Sequence, residues 1–193
     1  MKKILVIVDM QNDFVNGTLG TPEAQAITPK VADYIRAHAD ENTILLVTKD
    51  THHSNYAETL EGKNLPVVHC IEDSHGWELA PAIAEAIFDT RGKYCSLNSY
   101  FPYVSDHIIK KPTFGSINLQ NLLYMIEDDI DTIEEITLMG LCTGICVMSN
   151  AILVKATLPD TPINVVEECC ACVSPATHKT AIEAMKLCQI NII

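Results

Sequence analysis

A cysteine in the segment GLCTGICVMSNAIL, residues 140–153, has the surroundings expected of a nucleophile. Cys146 follows a turn-prone stretch and precedes an apolar run with helical spacing, which predicts a helix over 144–157. We therefore expect its sulfur to lie near unpaired backbone N–H groups, where a thiolate is stabilised. Taken alone, such a cysteine is more often a buried core thiol.

Composition excludes several classes of partner. The chain has 193 residues, is 48% hydrophobic and carries a formal net charge of -12. Nucleic acids and anionic membranes need clustered lysine and arginine, so we expect neither as a partner and favour a small-molecule ligand. The apolar run after Met1 stops at Asp9, and no stretch reaches the roughly 18 apolar residues of a membrane span. We expect a single cytoplasmic domain over 1–193.

The eight cysteines are expected to be free thiols in a reducing cytosol. Cys169, Cys170 and Cys172 form a cluster that suggests a metal site. No second Cys/His pair follows at suitable spacing, so zinc is not favoured there and the role of the cluster is left open.

Short apolar runs alternate with helical patterns along the chain. Because successive residues in these runs are apolar, the strands should be buried on both faces, as in a parallel sheet. The alternation predicts an α/β fold, a three-layer αβα sandwich with a mostly parallel, roughly six-stranded sheet. Strands are predicted over 3–9, 43–49, 107–110, 135–140, 163–168 and 190–193, and helices over 28–40, 78–88, 117–128, 144–157 and 174–188.

Two details of this assignment are specific. Thr28 should cap the first helix, with Pro29 at its first position. The stretches 50–77 and 89–106 lack clear periodicity, and long loops in compact domains are usually functional.

Residues able to do chemistry follow four of the predicted strands. Asp9 ends the first strand, KDTHH the second, KKPTF the third, and the fourth runs into the Cys146 segment. Ligands of parallel sheets bind beyond the carboxyl ends of the strands, so these side chains should converge. Singly, Asp9 could cap a turn and a lysine could be a solvated charge. Together they supply a nucleophile, a carboxylate able to take its proton and a cation.

A metal site is predicted from Asp50, His52 and His69. Asp-x-His at a strand end places both side chains on one side of the chain, and the histidine of LPVVHC could return to them. Nitrogen and oxygen ligands suit zinc, iron or manganese, with water at the open positions. The alternative is a hydrogen-bonded loop cluster without a metal.

Three ordered motifs carry a resemblance to a known family. VIVDMQNDF, KKPTFGSI and GLCTGICVMSNA resemble those of the isochorismatase-like cysteine hydrolases, and the histidine-bearing segment resembles their nicotinamidase branch. The similarity covers nearly the whole chain. It implies a catalytic triad of Asp9, Lys111 and Cys146. Lys111 is preferred to Lys110 because the family places an aromatic residue three positions after its lysine, here Phe114.

The resemblance also implies features around the nucleophile. The family's fold would make Leu141 to Cys142 a cis peptide and aim the N–H groups of Cys142 and Cys146 at one point, as an oxyanion hole. Phe14 and Leu141 would contact the substrate.

The same resemblance favours a divalent metal ion, zinc first, on Asp50, His52 and His69. Glu61 is a candidate fourth ligand, with Glu58 as its competitor. His53 and His75 fall outside the family pattern.

The implied activity is hydrolysis of nicotinamide, or a similar small aromatic amide, to the acid and ammonia through a thioester, as in NAD salvage. Relatives commonly form dimers or tetramers, so a homo-oligomer is expected. Two alternatives stay open. One is a related hydrolase of another small amide, carbamoyl or ureido compound. The other is a non-catalytic binding or redox-sensing domain, using Cys142 with Cys146 or the 169–172 cluster.

Departures from the family pattern concern the substrate pocket. Gly144 stands where the family usually has an aspartate, two residues before the nucleophile. Thr51 stands where it has a tryptophan between two metal ligands, and Leu65 stands where it has a second tryptophan, just before Pro66. The aromatic lining should therefore be thin. The aromatic residues available for it are Phe14, Trp77, Tyr100, Phe101 and Tyr103.

Overall fold

A parallel six-stranded sheet organises the protein, with strand order β3-β2-β1-β4-β5-β6. The computed structural model describes residues 1–95 and 107–193. All neighbouring strands pair in parallel. The strands are β1 (Lys2–Val8), β2 (Thr43–Asp50), β3 (Ile108–Lys111), β4 (Ile133–Leu141), β5 (Ile163–Ala171) and β6 (Asn191–Ile192).

Helices cover both faces of the sheet. Every residue of β2 is buried, which requires cover on both sides of that strand. Helix α2 packs against α4, and α5, α6 and α7 pack side by side. The helices are α1 (Asn12–Val15), α2 (Pro22–His38), α3 (Leu60–Asn64), α4 (Pro81–Asp89), α5 (Ile117–Asp129), α6 (Met148–Thr157) and α7 (Pro175–Leu187). The predicted α/β sandwich with a parallel six-stranded sheet is confirmed.

The first long helix begins earlier than predicted. Helix α2 starts at Pro22, and the side chain of Thr21 caps it by accepting a hydrogen bond from the Ala24 N–H. Thr28 and Pro29 lie inside the helix, where the Thr28 hydroxyl donates to the Ala24 carbonyl at 2.8 Å. Both Thr-Pro pairs match the signature of a helix start. The pattern alone does not show which of the two begins the helix.

The loops also differ from the sequence assignment. The stretch 50–77 contains α3 and two short 3-10 turns, Tyr56–Glu58 and His75–Trp77. A π-helical turn, Thr143–Val147, precedes α6, so the helix predicted over 144–157 starts later. Tyr100, Phe101 and Tyr103 lie outside the described residues. Within the described ranges, no helix has the length and apolar character needed to cross a bilayer.

The strand order places a crevice beside β1. Chain connections run from β1 to β2 on one side and return to β4 on the other, so the order reverses at β1. Such reversal points open a crevice at the carboxyl ends of the strands. Asp9, Asp50, Lys111 and the turn after β4 all lie at this edge.

Candidate active site

Three predicted residues meet at this edge. Asp9 follows β1, Lys111 ends β3, and Cys146 lies in the π-helical turn after β4. The Lys111 Nζ atom lies 2.6 Å from Asp9 Oδ2 and 3.4 Å from Cys146 Sγ. Asp9 and Lys111 are almost completely buried, and Cys146 is 6% exposed. The structure thus brings the predicted carboxylate, lysine and cysteine into one cluster.

Asp9 has an unusual backbone conformation and is hydrogen-bonded to Thr48. Its φ angle is 49°, in the left-handed region that non-glycine residues seldom adopt. The Thr48 hydroxyl donates to Asp9 Oδ1 at 2.7 Å, while the Asp9 N–H donates to the Thr48 carbonyl at 3.2 Å. Sequence reasoning missed Thr48. Its position on β2, two residues before Asp50 and therefore on the same face, was the available signal.

Burial and close charges set the protonation of the cluster. Burial raises the pKa of Asp9, and the Lys111 ammonium offsets part of that rise. Burial opposes the charge on Lys111, yet Asp9, Cys146 and Asp50 carry its pKa above the ordinary lysine value. Lys111 is therefore a cation.

The surroundings of the Cys146 sulfur oppose its ionisation. Burial and the adjacent Asp9 carboxylate raise its pKa well above the ordinary cysteine value, and Lys111 only partly counters them. The expectation of a thiolate stabilised by a helix start was wrong. Cys146 lies inside a buried turn that faces a carboxylate, and the α-helix begins after it.

The turn that carries Cys146 contains the cis peptide bond that the resemblance implied. The peptide bond between Leu141 and Cys142 is cis. The Cys142 carbonyl accepts hydrogen bonds from the Ile145 and Val147 N–H groups, at 3.0 and 3.2 Å. This turn therefore fixes the backbone of Cys142 relative to that of Cys146.

Two buried amide side chains, which the sequence predictions did not include, hold the backbone of the site by hydrogen bonds. Gln11 Oε1 accepts from the Asp50 N–H at 2.7 Å and its Nε2 donates to the Asp50 carbonyl at 2.9 Å. Asn150 Nδ2 donates to the Cys146 carbonyl at 2.8 Å, and its Oδ1 accepts from the Ser116 N–H at 2.9 Å. Gln11 belongs to the first sequence motif. Asn150 stands one helical turn after Cys146, a spacing that was the only available signal.

A second cluster adjoins the first. Ligand atoms of Asp50, His52, Glu61 and His69 all lie within 4.8 Å of one another. His52 Nε2 and His69 Nε2 lie 3.0 and 3.4 Å from Asp50 Oδ2. The residues predicted as metal ligands are together, and Glu61 joins them. Glu58 is not part of the group.

The cluster has the chemistry of a divalent metal site. His52 Nε2 is buried, and although it lies 3.0 Å from Asp50 Oδ2, it makes no hydrogen bond of acceptable geometry among the described residues. His69 Nδ1 contacts the Val67 carbonyl at 2.7 Å; when it donates there, the lone pair of Nε2 faces the cluster. Burial opposes the charge of Asp50, but His52, His69 and Lys111 lower its pKa. Two imidazoles and two carboxylates suit a divalent ion.

Other residues considered from the sequence lie elsewhere. The side chains of His53 and His75 are 71% and 84% exposed and approach Glu72 and Glu78. The Trp77 ring lies under Lys49, whose Nζ is 2.9 Å from the ring centroid, outside the cavity described next.

A cavity of about 270 Å³ connects the two clusters. Cys146 and Cys142 form one wall, and Asp50, Glu61 and His69 form another. The remaining walls are mainly apolar and include both predicted substrate contacts; among them are Phe14, Leu19, Leu65, Phe114, Leu141, Ile145 and Val173. A larger depression of about 640 Å³ shares Glu61, Leu65 and Phe114 but does not contain Cys146. The smaller cavity is therefore the candidate substrate site.

Among the described residues, the four-residue group at Asp50 is the only set of histidine, cysteine or acidic side chains that could hold a metal. Cys169, Cys170 and Cys172 are buried free thiols. Cys172 reaches the substrate cavity, whereas the other two do not line it.

A parallel α/β sheet with a buried cysteine, aspartate and lysine at its carboxyl edge has the composition of a cysteine hydrolase. Comparison with known proteins agrees. The chain belongs to the isochorismatase family, whose domain matches residues 3–193.

Individual relatives match along their whole length. The nicotinamidase/pyrazinamidase of Mycobacterium tuberculosis (strain ATCC 25618 / H37Rv) is 26% identical over 199 residues, covering 99% of this chain and 98% of that protein. The pyrazinamidase/nicotinamidase of Streptococcus mutans UA159 has a TM-score of 0.80 at 22% identity, with 100% of both chains covered. The pyrazinamidase of Pyrococcus horikoshii in complex with zinc has a TM-score of 0.75 at 22% identity, covering 100% of this chain and 99% of that one. The structural likenesses show the shared fold.

Proposed function

We propose that the protein is a metal-assisted cysteine amidohydrolase that converts nicotinamide, or a similar small aromatic carboxamide, to the acid and ammonia. The observation that carries this proposal is the buried Lys111 ammonium, 2.6 Å from Asp9 and 3.4 Å from the sulfur of Cys146, a residue that lines a mainly apolar cavity. The relatives that are named nicotinamidase or pyrazinamidase support the choice of substrate.

Asp9 and Cys146 form a thiol and carboxylate pair poised for proton transfer. As the sulfur attacks the amide carbon, its proton moves to Asp9, whose raised pKa makes it a better base than an ordinary carboxylate. The carbon–sulfur bond forms and the carbonyl oxygen gains the negative charge. The N–H groups of Cys142 and Cys146 donate hydrogen bonds to this oxyanion. Lys111 keeps a positive charge beside the reacting pair throughout.

Collapse of the tetrahedral intermediate breaks the carbon–nitrogen bond. Asp9 returns the proton to the departing nitrogen, ammonia leaves, and a thioester remains on Cys146. Water then attacks the thioester carbon while Asp9 takes a proton from it. The carbon–sulfur bond breaks, the proton passes from Asp9 to the departing sulfur, and the acid leaves, which restores the thiol.

Asp50, His52, His69 and Glu61 would hold the metal ion, which we propose to be zinc, with iron or manganese as alternatives. When bound, the ion supplies a Lewis-acid position at the cavity wall. The zinc of the Pyrococcus horikoshii structure supports this choice. The side chains of Phe14 and Leu141 supply apolar surface for an uncharged ring.

The alternatives are less well supported. A carbamoyl or ureido hydrolase would use the same cysteine, aspartate and lysine, but the apolar walls suit an uncharged ring better than an acid group. A redox sensor needs reactive thiols of low pKa. Burial instead raises the pKa of Cys142 to about 12, of Cys169 to about 11 and of Cys170 to about 12.

Further parts of the proposal concern the protein in the cell. We propose a single domain over 1–193, a cytoplasmic location, a place in NAD salvage and a homo-oligomer, either dimer or tetramer. Light scattering on the purified protein during size exclusion would measure the oligomeric state.

The test is direct. Zinc-loaded protein is incubated with nicotinamide, and ammonia and nicotinate are measured together. We expect equal amounts of both, activity at background in the Cys146→Ala variant, and full activity in Cys188→Ala, which removes an exposed thiol. Undiminished hydrolysis by Cys146→Ala would refute the mechanism. Faster turnover of a carbamoyl or ureido compound than of nicotinamide would favour the related hydrolase.

A further inference from the structure

Three polar side chains link the turn that carries Cys146 to the protein surface. The Thr143 hydroxyl, fully buried, lies 2.8 Å from His178 Nδ1. On the other side of the ring, His178 Nε2 lies 3.8 Å from Glu167 Oε1, and the Glu167 side chain is 52% exposed. The substrate cavity is lined by none of the three. The proposed reaction therefore gives these three side chains no role.

The three residues come from separate elements. Thr143 opens the π-helical turn directly after Cys142, His178 lies in α7, and Glu167 lies in β5. The start of α7 is well defined, because Ser174 and Thr177 cap each other's backbone N–H groups there. His178 follows this capped start, so its ring is presented from a well-ordered element.

Helix α7 also packs directly against the turn. A Cβ atom added to Gly144 would lie 3.3 Å from the Ala181 Cβ and 3.4 Å from the Cys172 sulfur. The turn and the helix are therefore as close as their side chains permit at Gly144, and the Thr143–His178 hydrogen bond lies next to this contact. Together they determine where the backbone of 142–146 lies.

The Thr143 hydroxyl makes this bond in place of a local one. Cys142, the residue before the turn, provides no side-chain cap. The buried Thr143 hydroxyl finds its partner in the His178 ring, 35 residues further along the chain. Buried hydroxyls need a partner. Loss of His178 would leave this one unpaired beside the backbone that holds the nucleophile.

We infer that His178 is a positioning residue that acts through Thr143. It holds the turn so that the Cys142 and Cys146 N–H groups point at the developing oxyanion. This inference rests on the proposed amide hydrolysis. The oxyanion develops in the transition state and the tetrahedral intermediate and is absent from the bound substrate, so losing the link should lower kcat and leave KM nearly unchanged.

Paired variants test the link. His178→Ala removes the ring, whereas His178→Asn keeps a polar group near the place of Nδ1. Thr143→Val removes the hydroxyl, whereas Thr143→Ser keeps it. We expect kcat to fall roughly ten- to hundredfold in His178→Ala and Thr143→Val, with KM within about twofold of the parent. The Asn and Ser variants should recover most of the kcat.

The double variant His178→Ala/Thr143→Val should be no slower than either single variant, because both break one link. Lys179→Ala, an exposed change on the same helix, serves as the control. Circular dichroism shows whether each variant is folded. Unchanged kcat in folded His178→Ala, a rise in KM alone, or multiplied losses in the double variant would overturn the inference.

Failure of the proposed function is recognised separately, because inert wild-type protein contradicts the function itself. Crystal structures of the wild type and His178→Ala then decide the inference. A displaced backbone at 142–146 in the variant supports it, and an unmoved backbone overturns it.

Discussion

Lys111 Nζ and Asp9 Oδ2 are 2.6 Å apart in a pair whose side chains are 1% and 0% exposed. The same ammonium lies 3.6 Å from Asp50 Oδ1, so one cation serves the carboxylates of both clusters. Removing two charges from water costs several kcal/mol for each ion, and their attraction must offset it. The pair is therefore costly to break.

Replacing Lys111 with methionine should destabilise the fold severely. The change leaves Asp9 and Asp50 buried without their cation, and breaking a buried pair in this way costs about 3–5 kcal/mol. Lys110→Met is the matched control, because that lysine is half exposed and pairs with Glu72 at the surface, where solvent screens an ion pair and it contributes little to stability. Urea denaturation measures the free energy of unfolding of both variants. Equal losses would show that the buried pair is not important for stability.

Removing the Thr48 hydroxyl should shift the pH dependence of activity. That hydroxyl donates to Asp9 Oδ1 and lowers the pKa of Asp9, so Thr48→Val should raise this pKa further above the ordinary carboxyl value. Since Asp9 must be ionised to take the thiol proton, activity is lost as pH falls through its pKa. The acid limb of kcat/KM should therefore move to higher pH.

Profiles of kcat/KM at saturating zinc measure this shift. Thr48→Ser keeps the donor and should follow the wild type. An acid limb that stays in place in Thr48→Val would mean that another group controls it.

The convergence of Asp9, a lysine of KKPTF and Cys146 was predicted for a physical reason, and the family resemblance selected Lys111 over Lys110. Carboxyl ends of parallel strands meet at one edge, so residues that end separate strands become neighbours once the strands are recognised. The predicted ligands Asp50 and His52 followed the same logic, whereas His69 was predicted from a loop that could return to them. Side chains that hold these groups were harder to predict. Gln11 and Thr143 bond to partners distant in the chain, and nothing local in the sequence specifies those partners.

Two errors have different origins. The start of α2 was misplaced because Thr21-Pro22 and Thr28-Pro29 both satisfy the requirements of a helix start. The expected direction of the Cys146 pKa shift was wrong because the shift depends on solvent exclusion and on a facing carboxylate. Both are properties of the assembled fold.

Metal binding should stabilise the fold through the Asp50 group. A ligand present at a hundred times its Kd adds about 2.7 kcal/mol to the stability of the folded state. We expect dialysis against a chelator to lower the Tm and zinc to restore it. In His52→Ala, zinc should raise the Tm much less. In His53→Ala, which changes an exposed neighbour outside the group, zinc should raise the Tm as much as in the wild type. Differential scanning calorimetry measures each Tm. A full zinc response in His52→Ala would exclude that residue as a ligand.

Gly140 is required by the close approach of β4 to β1. Its φ angle is 125°, and an added Cβ would collide with the Val8 carbonyl oxygen. Gly140→Ala should therefore combine backbone strain with a collision and lower the free energy of unfolding by more than about 3 kcal/mol. Gly92→Ala is the control, because Gly92 has a φ of 81° but open space around an added Cβ. It should cost only the strain, about 1–2 kcal/mol. Equal losses in urea denaturation would show that the approach to Val8 does not determine the need for glycine.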